Sequence, residues 1–403
     1  MRALAPFASL AVSVLLLGGC APAPNAQHTP PAGAPMRGDF SGSGPGTLIA
    51  AETLPQLDPL LRAETSLAAR ITYVSSSGVN DEHPQVTGTV FVPEGGPPPG
   101  GWRIVAVGHP MTGIHTECAP SGSPTLLGSA PLITALVGAG FMVAMTDYQG
   151  LGGAADYHPF LDSSTEGYNL IDSVRAARRL VPAASDAWVA YGRDQGGQAA
   201  WAADELSPDY NDGLRLVGAI AVAPLAALDG LADGAAAGTL NRDQQLLLQQ
   251  YLQALHEEYG DFDLDGYRHG VAKDHWDELS ACWGPQFADR AALAAALGPD
   301  DLRPDGQETS DILAGYLKKT SLPQGRTAAP MLVAAGLEGD LLPTDWTADA
   351  LRRSCGLGDV IQVGAPMGAD PTPVIGWINA RFEADPATND CPVPSYPSQS
   401  VGG

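Results

Sequence analysis

Apolar and polar positions along the chain fall into two alternating patterns. Eight short runs of β-branched or alternating apolar residues predict strands, at Ile71 to Ser75, Val86 to Val92, Arg103 to Val107, Phe141 to Met145, Ala187 to Ala190, Leu216 to Val222, Met331 to Ala334 and Val360 to Val363. Between the later runs, three segments have the apolar spacing of helices: Ser164 to Leu180, Gln198 to Leu206 and Ala348 to Ser354. Strands that alternate with helices predict a mostly parallel sheet with helices on both faces, and the closely spaced early runs predict an antiparallel lead-in.

Residues 228–325 interrupt this alternation. They carry helical patterns, such as Gln244 to Tyr259, and no convincing strand pattern. Ligands of α/β folds bind at the carboxyl ends of the strands, so a helical insertion between two strands is expected to lie over that edge as a cap. We therefore predict one α/β domain over residues 47–403 with a helical cap at about 228–325.

The stretch YGRDQGG at residues 191–197 lies where a predicted strand passes into a predicted helix. A strand, a glycine-rich turn and a helix in succession are the setting of the G-x-S-x-G turn that exposes a catalytic serine, called the nucleophile elbow. Here Asp194 occupies the serine position, between Gly192 and Gly196. The sequence therefore predicts an elbow without its usual nucleophile.

The N-terminal segment has the layout of an export signal. Arg2 precedes a short apolar stretch, and the segment LGGC ends at Cys20. This pattern predicts a bacterial lipoprotein signal peptide at residues 1–19 with Cys20 lipidated as the mature N-terminus; the alternative is plain secretion with Cys20 unused. Residues 20–46 are predicted to be the lipid anchor and a flexible linker rich in Pro, Ala and Gly. The protein is expected on the outer face of the bacterial cell membrane.

The chain of 403 residues has a formal net charge of −24, from 21 basic and 45 acidic residues. This balance argues against nucleic acid or an anionic membrane surface as a partner, so membrane association is expected through the N-terminal lipid only. Four cysteines follow the anchor, and an even count in an exported chain predicts two disulfides with three possible pairings. They are Cys118, Cys282, Cys355 and Cys391.

Several segments together resemble the secretory lipase family of the α/β-hydrolases. They are GHPMTGIHTECAPSGSP (108–124), the segment 145–180 that contains DYQGLG, YGRDQGGQAA (191–200) and PMLVAAGLEGDLLP (330–343). The resemblance extends from about Leu48 to Cys391 and implies the α/β-hydrolase fold of an exported esterase or lipase. It also implies an oxyanion loop of His109, Pro110 and Met111, completed by Gln195 after the elbow.

The resemblance implies a catalytic serine, aspartate and histidine, and none of the three stands at its matching position. The serine position is Asp194, the aspartate position is Gly339 between Glu338 and Asp340, and the histidine position is Pro371. No histidine follows His275 in the sequence. A serine hydroxyl needs a positioned imidazole and carboxylate to attack. The loss of all three roles predicts a protein without serine-hydrolase activity.

Two other roles for Asp194 stay open. Haloalkane dehalogenases and epoxide hydrolases of this fold use an elbow aspartate as the nucleophile, but hydrolysis of their ester intermediate needs a base. The candidate bases are His256, His269 and His275 in the predicted cap. Arg193 could instead pair with Asp194 and keep it ionised as a structural group.

Metal binding is not favoured at either of two candidate sites. His109 and His115 in the loop HPMTGIH could ligate a metal, but the resemblance implies that His109 belongs to the oxyanion loop. Residues 261–266 begin like a calcium loop, D-x-D-x-D-G, but Ala272 stands where position 12 needs a glutamate, which favours a solvated acidic turn. No nucleotide fingerprint is present, so we predict no cofactor and no metal.

The resemblance also agrees with one disulfide pairing, Cys118 with Cys282 and Cys355 with Cys391. The first bridge would join the oxyanion-side loop to the cap, and the second would tie the C-terminal tail to the end of the sheet.

Three functional hypotheses follow from these patterns. The favoured one is a non-catalytic exported lipoprotein that binds a lipid, an acyl chain or a protein through the cleft under the cap. The second is a hydrolase that uses an unusual constellation around Asp194, Glu338 or Asp340. The third is a structural component of the cell envelope that binds no ligand.

Overall fold

The computed structural model describes residues 33–153, 157–283, 288–335, 340–364 and 370–392. These residues form one sheet of nine strands in the order β1-β2-β3-β5-β4-β6-β7-β8-β9. The strands are β1 (Leu48–Thr53), β2 (Thr65–Val74), β3 (Gln85–Pro93), β4 (Trp102–Gly108), β5 (Met142–Thr146), β6 (Ala184–Arg193), β7 (Arg215–Val222), β8 (Met331–Ala334) and β9 (Ile361–Gly364). The pairs β1/β2, β2/β3 and β3/β5 are antiparallel, and the remaining neighbours are parallel. The predicted mostly parallel sheet with an antiparallel lead-in is confirmed.

Helices cover both faces of this sheet. They are α1 (Pro59–Ala63), α2 (Ala130–Gly138), α3 (Ser163–Leu180), α4 (Gln195–Tyr210), α5 (Asp229–Ala237), α6 (Arg242–Glu258), α7 (Gly270–Asp274), α8 (Trp276–Leu279), α9 (Ala288–Ala294), α10 (Gln307–Thr320), α11 (Thr344–Leu357) and α12 (Thr372–Phe382). The side chains of α3 and α4 pack in one apolar cluster, and those of α2 and α12 pack in another. Along β4, Ile104 faces the first cluster and Val105 the second, which is why this strand is apolar from Ile104 to Val107.

Between β7 and β8 the chain forms the six helices α5 to α10, and the described residues of this segment contain no strand. Helix α6 begins with a capping box, in which Asn241 and Gln244 satisfy each other's backbone N–H groups at 2.9 and 3.0 Å. Its buried face contributes Leu247 and Tyr251 to an apolar cluster that the cap helices share with the loops after β4 and β5. This helical segment, called the cap below, therefore packs directly on the loops at the carboxyl ends of the strands.

Extended segments cover both edges of the sheet. The Met36 N–H donates to the Ala51 carbonyl at 2.8 Å, and the Thr53 N–H donates to the Ala34 carbonyl at 2.9 Å. Residues 34–36 of the predicted linker are therefore held against β1, and the Asp39 N–H donates to the Arg179 carbonyl of α3 at 3.0 Å. At the other edge, the Asp390 N–H donates to the Ile361 carbonyl of β9 at 2.7 Å. Neither edge strand is left as a bare row of backbone donors and acceptors.

Candidate functional site

Asp194 is the single residue between the end of β6 and the start of α4. Its backbone angles are φ 54° and ψ −115°, a strained conformation for a residue with a side chain. A Cβ on Gly192 would overlap the backbone of Gly196, and a Cβ on Gly196 would overlap the carbonyl of Gly108. The two glycines thus allow the sharp strand-to-helix turn that carries Asp194. The geometry is that of a nucleophile elbow.

The carboxylate of Asp194 belongs to a chain of three charges. The Arg193 Nε atom lies 3.7 Å from Asp194 Oδ2, and its Nη2 atom donates to Asp340 Oδ1 at 3.0 Å. The Asp194 side chain is 17% exposed. Burial raises the pKa of this carboxyl to about 6, Arg193 opposes the rise, and the nearby Asp340 carboxylate adds to it. Arg193 does lie beside Asp194, as considered from the sequence, but burial affects the pKa of the Asp194 carboxyl more than this arginine does.

The loop after β4 lies against the elbow, because Gly108 contacts Gly196 at the start of α4. The buried His109 ring places Nδ1 2.7 Å from the Pro110 carbonyl oxygen and Nε2 3.3 Å from the Asp147 carbonyl oxygen. Burial lowers the pKa of His109, and the two carbonyl oxygens that face its ring oppose this shift. With both ring nitrogens facing backbone carbonyls, His109 is a structural part of this loop.

Gln195, the first residue of α4, carries the backbone N–H that would form one half of an oxyanion hole. Within the part of the chain that the structure describes, this N–H has no acceptor. The adjacent carbonyl of Asp194 accepts from the N–H groups of Gln198 at 3.1 Å and Leu225 at 3.2 Å. The donor at the helix terminus therefore remains able to bind a ligand oxygen.

The apolar cluster under the cap extends to the elbow. It includes Met111 of the loop after β4 and Leu225, whose N–H binds the Asp194 carbonyl. Disulfides join Cys118 to Cys282 and Cys355 to Cys391, which confirms the expected pairing. Close to the first bridge, the backbone N–H of Trp283 donates to the Thr112 carbonyl at 2.8 Å. The cap is thus linked covalently and by hydrogen bonding to the loop that flanks the elbow.

Comparison with known proteins agrees with this architecture. The model of the family described as secretory lipase matches residues 127–390, more than half of the chain. The chain belongs to the secretory lipase family. No curated protein matches the sequence significantly. Lipase A of Candida antarctica in its closed state shares the fold, with a TM-score of 0.67, 15% identity, and coverage of 92% of this chain and 90% of that one.

A ligand-bound form of the rice cell wall degrading esterase LipA from Xanthomonas oryzae also shares the fold. Its TM-score is 0.67 at 20% identity, over 85% of this chain and 95% of the esterase. At these identities the likeness establishes the α/β-hydrolase fold and leaves the chemistry to the residues of the site itself. Membership in the secretory lipase family and the two disulfides are consistent with export.

The structure describes only some of the triad and lipidation positions predicted from the sequence. Gly339 and Glu338 lie outside the described residues, as does Cys20. Pro371 immediately precedes α12 and has no backbone N–H to donate. Asp340 is described, and it contacts the elbow through Arg193.

The three candidate bases in the cap contact other cap residues. His256 Nδ1 lies 3.0 Å from the Phe262 carbonyl oxygen, and His269 Nε2 lies 2.8 Å from the Arg303 carbonyl oxygen. His275 Nδ1 lies 3.5 Å from a carboxylate oxygen of Glu278 in the next helix. These contacts orient the rings within the cap and give none of them a bond to Asp194.

A buried polar network behind the elbow was not predicted from the sequence. The Gln195 side-chain amide donates to Glu166 Oε1 at 2.8 Å and lies 2.9 Å from His158 Nε2. His158 Nδ1 lies 2.8 Å from the Gln149 carbonyl oxygen, and burial lowers the pKa of His158 to about 3. A neutral His158 with its proton on Nδ1 can accept the amide hydrogen of Gln195. Burial also raises the pKa of Glu166 well above its ordinary value.

Among the described residues, no group of three or more His, Cys, Asp or Glu side chains could hold a metal ion. In the acidic segment 261–266, Asp265 contacts Arg268 at 2.7 Å and Lys273 at 3.5 Å, and Asp263 accepts the Asp265 N–H at 3.2 Å. The carboxylates of Asp263 and Asp265 are therefore engaged by neighbouring groups. No helix within the described ranges has the length and apolar character needed to cross a bilayer.

Proposed function

We propose that this secretory lipase relative is an exported lipoprotein that binds an apolar ligand or a protein at its elbow and does not perform serine-type hydrolysis. The observation that carries the proposal is the ion pairing of the elbow. Asp194 replaces the serine and lies beside Arg193, which also binds Asp340. Side chains committed to one another in this way hold the turn and shape the site.

Serine-type turnover requires a hydroxyl nucleophile, an imidazole that takes its proton and a carboxylate that orients the imidazole. Here Asp194 has no hydroxyl, and Pro371 has no ring that could take a proton. His109 and His158, the buried histidines behind the elbow, have ring contacts of their own. These features support a scaffold that has kept its shape without its catalytic unit.

The surroundings of Asp194 support binding of an apolar chain. Met111, Phe160 and Leu225 belong to the buried apolar cluster beside the elbow, which also contains cap residues such as Leu247. Ligand sites are mostly apolar, with a few polar groups that fix orientation. Asp194 and the backbone N–H of Gln195 are polar groups suited to that role. We therefore assign a lipid or an acyl chain as the preferred ligand class, with a protein segment as the alternative.

Turnover and active-site labelling test the catalytic half of the proposal. The full chain, Asp194→Ala and the control Asp186→Ala are incubated with short p-nitrophenyl esters and with a serine-directed phosphonate. Asp186 suits the control because it loses the same charge from a half-exposed side chain on the same strand. We expect background hydrolysis and no covalent adduct for all three proteins.

Solvent extraction and mass spectrometry of the purified protein test the binding half. We expect a lipid or acyl ligand in stoichiometric amount, with less retained by a Leu247→Asp variant, which places a charge in the apolar cluster. A protein that carries no ligand and takes up no labelled lipid would indicate a structural role in the envelope.

A hydrolase that uses Asp194 as its nucleophile is the second candidate. It is favoured by the positive φ of 54° at Asp194, because such strain persists mainly at functional positions. The aspartyl ester would form directly, but its hydrolysis needs a base within reach. Ester turnover well above background that Asp194→Ala abolishes and Asp186→Ala retains would establish this candidate and overturn the first.

Export and anchoring are part of the same proposal. The apolar segment before Cys20 and the two disulfides support a protein that leaves the cytoplasm. Lipidation at Cys20 would leave the acidic body in the aqueous phase outside the membrane, with residues 21–32 between the lipid and the sheet edge.

A further inference from the structure

A groove of about 540 Å³ opens at the end of the sheet opposite to the elbow. Its lining includes Ala184, the first residue of β6, whereas Asp194 follows the last residue of that strand. Ten residues of extended chain separate the two sites by about 30 Å. The groove is therefore independent of the elbow and of the function proposed for it.

Three arginines from the end of α3 line this groove: Arg175, Arg178 and Arg179. Positions three and four residues apart on a helix share one face, so the three side chains lie together and repel one another. The whole chain has only 21 basic residues and a net charge of −24. Carboxylates accompany two of the three arginines, since Asp172 and Asp212 pair with Arg175 and Asp39 pairs with Arg179. Arg178 is the cation of this groove that has no carboxylate partner among the described residues, and it can attract an anion.

Two of these arginines are held in place by the protein. The Arg175 side chain is 10% exposed, binds the Asp172 carboxylate and the Tyr210 carbonyl, and lies over the Tyr210 ring at 4.4 Å. Arg179 Nη1 donates to Asp39 Oδ2 at 3.0 Å. The floor and one wall of the groove are therefore preorganised.

Arg178 differs from its two neighbours. Its guanidinium forms no hydrogen bond or ion pair with any residue that the structure describes, whereas Arg175 and Arg179 each pair with a carboxylate. The buried Nε atoms of Arg175 and Arg178 both lack an acceptor. A cation at the C-terminal end of a helix is favoured by the helix dipole, which would explain its presence without any ligand. It would not explain why the guanidinium of Arg178 lies beside a cavity without a partner while the other two arginines of the groove are paired.

We propose that this groove binds the phosphate group of a phosphate-ester ligand, with Arg178 as its principal contact. The planar guanidinium presents parallel N–H donors that match two phosphate oxygens. The cavity is larger than a phosphate ion, so the ester substituent also fits. At its rim Asp212, 89% exposed, can accept a hydrogen bond from a hydroxyl or ammonium group of that substituent. Glycerol phosphate and phosphoethanolamine, free or as lipid head groups, have this chemistry.

Calorimetric titration of the full chain with glycerol 3-phosphate at low ionic strength tests the proposal. We expect saturable binding that Arg178→Gln weakens about tenfold or more, as loss of a charge-assisted contact predicts. The control is Arg352→Gln, which removes the same charge from a side chain that is 69% exposed on α11. It should bind like the unmodified protein, and circular dichroism should show all three proteins folded.

Two results would overturn the proposal. One is the absence of binding by the unmodified protein at millimolar glycerol 3-phosphate. The other is equal weakening by Arg178→Gln and Arg352→Gln, which would reduce the effect to net charge. In either case the role of Arg178 would be limited to its favourable interaction with the dipole at the C-terminal end of α3.

Sedimentation with vesicles then distinguishes the two sources of the ligand. Vesicles of phosphatidylethanolamine and phosphatidylglycerol are mixed with the Cys20→Ser chain, so that no covalent lipid contributes. Pelleting that Arg178→Gln removes would assign a lipid head group. Binding of glycerol 3-phosphate without pelleting would assign a soluble phosphate ester.

Discussion

The burial of Asp194 predicts a measurable dependence of stability on pH. The pKa of its carboxyl is about 6 in the folded protein against an ordinary value of 3.8, and the charged groups that face it are Arg193 and Asp340. Because the folded-state pKa is the higher one, the contribution of the protonated carboxyl is fully present below about pH 4. It is lost as the pH rises through about 6. A difference of about two units between the folded-state and unfolded-state pKa corresponds to about 3 kcal/mol of unfolding free energy.

Asp194→Asn keeps the shape of the side chain and removes its titration. We expect the unfolding free energy of this variant, relative to the unmodified protein, to increase by about 3 kcal/mol between pH 4 and pH 7. Urea denaturation at several pH values measures it, with the fluorescence of the fully buried Trp188 and Trp201 reporting unfolding. Other carboxylates cancel in the difference between the two proteins.

Asp186→Asn is the matched control, since Asp186 is on the same strand and its side chain is 52% exposed. Its difference curve shows what the loss of an exposed aspartate does to stability, and the Asp194→Asn curve is compared with it. The reasoning is refuted if the Asp194→Asn curve does not rise above this control, or if it falls as the pH rises. Either result would mean that Arg193 outweighs burial and keeps the carboxylate ionised in the folded protein.

Three further predictions concern the elbow, the tail and the anchor. Asp194→Ser alone should not restore ester hydrolysis, because Pro371 supplies no base. Its turnover should not exceed the acceleration of about 10³ to 10⁴ over water that enzymes retain when their catalytic triad is removed. Faster turnover of p-nitrophenyl esters would reveal a base within reach. Replacing Cys355 and Cys391 with alanine removes the bridge that closes a loop of 36 residues. The unfolding free energy measured by urea denaturation should fall by about 4 kcal/mol. An unchanged value would show that other contacts hold the C-terminal tail. Cys20→Ser should move the protein from the membrane fraction into the medium on cell fractionation, and retention after a salt wash would place the anchor elsewhere.

The central strands were predictable because their burial is nearly complete. Both faces of β4 contact apolar clusters, so Ile104 to Val107 form a continuous apolar run that stands out in the sequence. The edge strand β1 was missed because only Leu48 and Ala51 of its six residues are buried. Two buried residues three positions apart do not produce the alternation of a half-buried strand.

The elbow was predictable for a different reason, because a strand, two glycines and a helix follow one another without a gap. The partners of its residues are distant in the sequence. Asp340 is 147 residues from Arg193, and His158 is 37 residues from Gln195. No local pattern encodes such contacts, and the balance between burial and ion pairing at Asp194 depends on the folded surroundings. The position of the site was therefore available from the sequence, and its electrostatics were not.

The bridge between Cys118 and Cys282 has a mechanical consequence for the cap. The chain enters the cap after β7 and leaves it before β8, so without the bridge the cap could turn as a hinged flap about those two connections. The disulfide adds a third attachment, to the loop beside the elbow. A body fixed at three points that are not in line cannot rotate as a unit. Wider access to Asp194 would therefore require rearrangement among the cap helices, which makes the rate of ligand exchange a property of the cap interior.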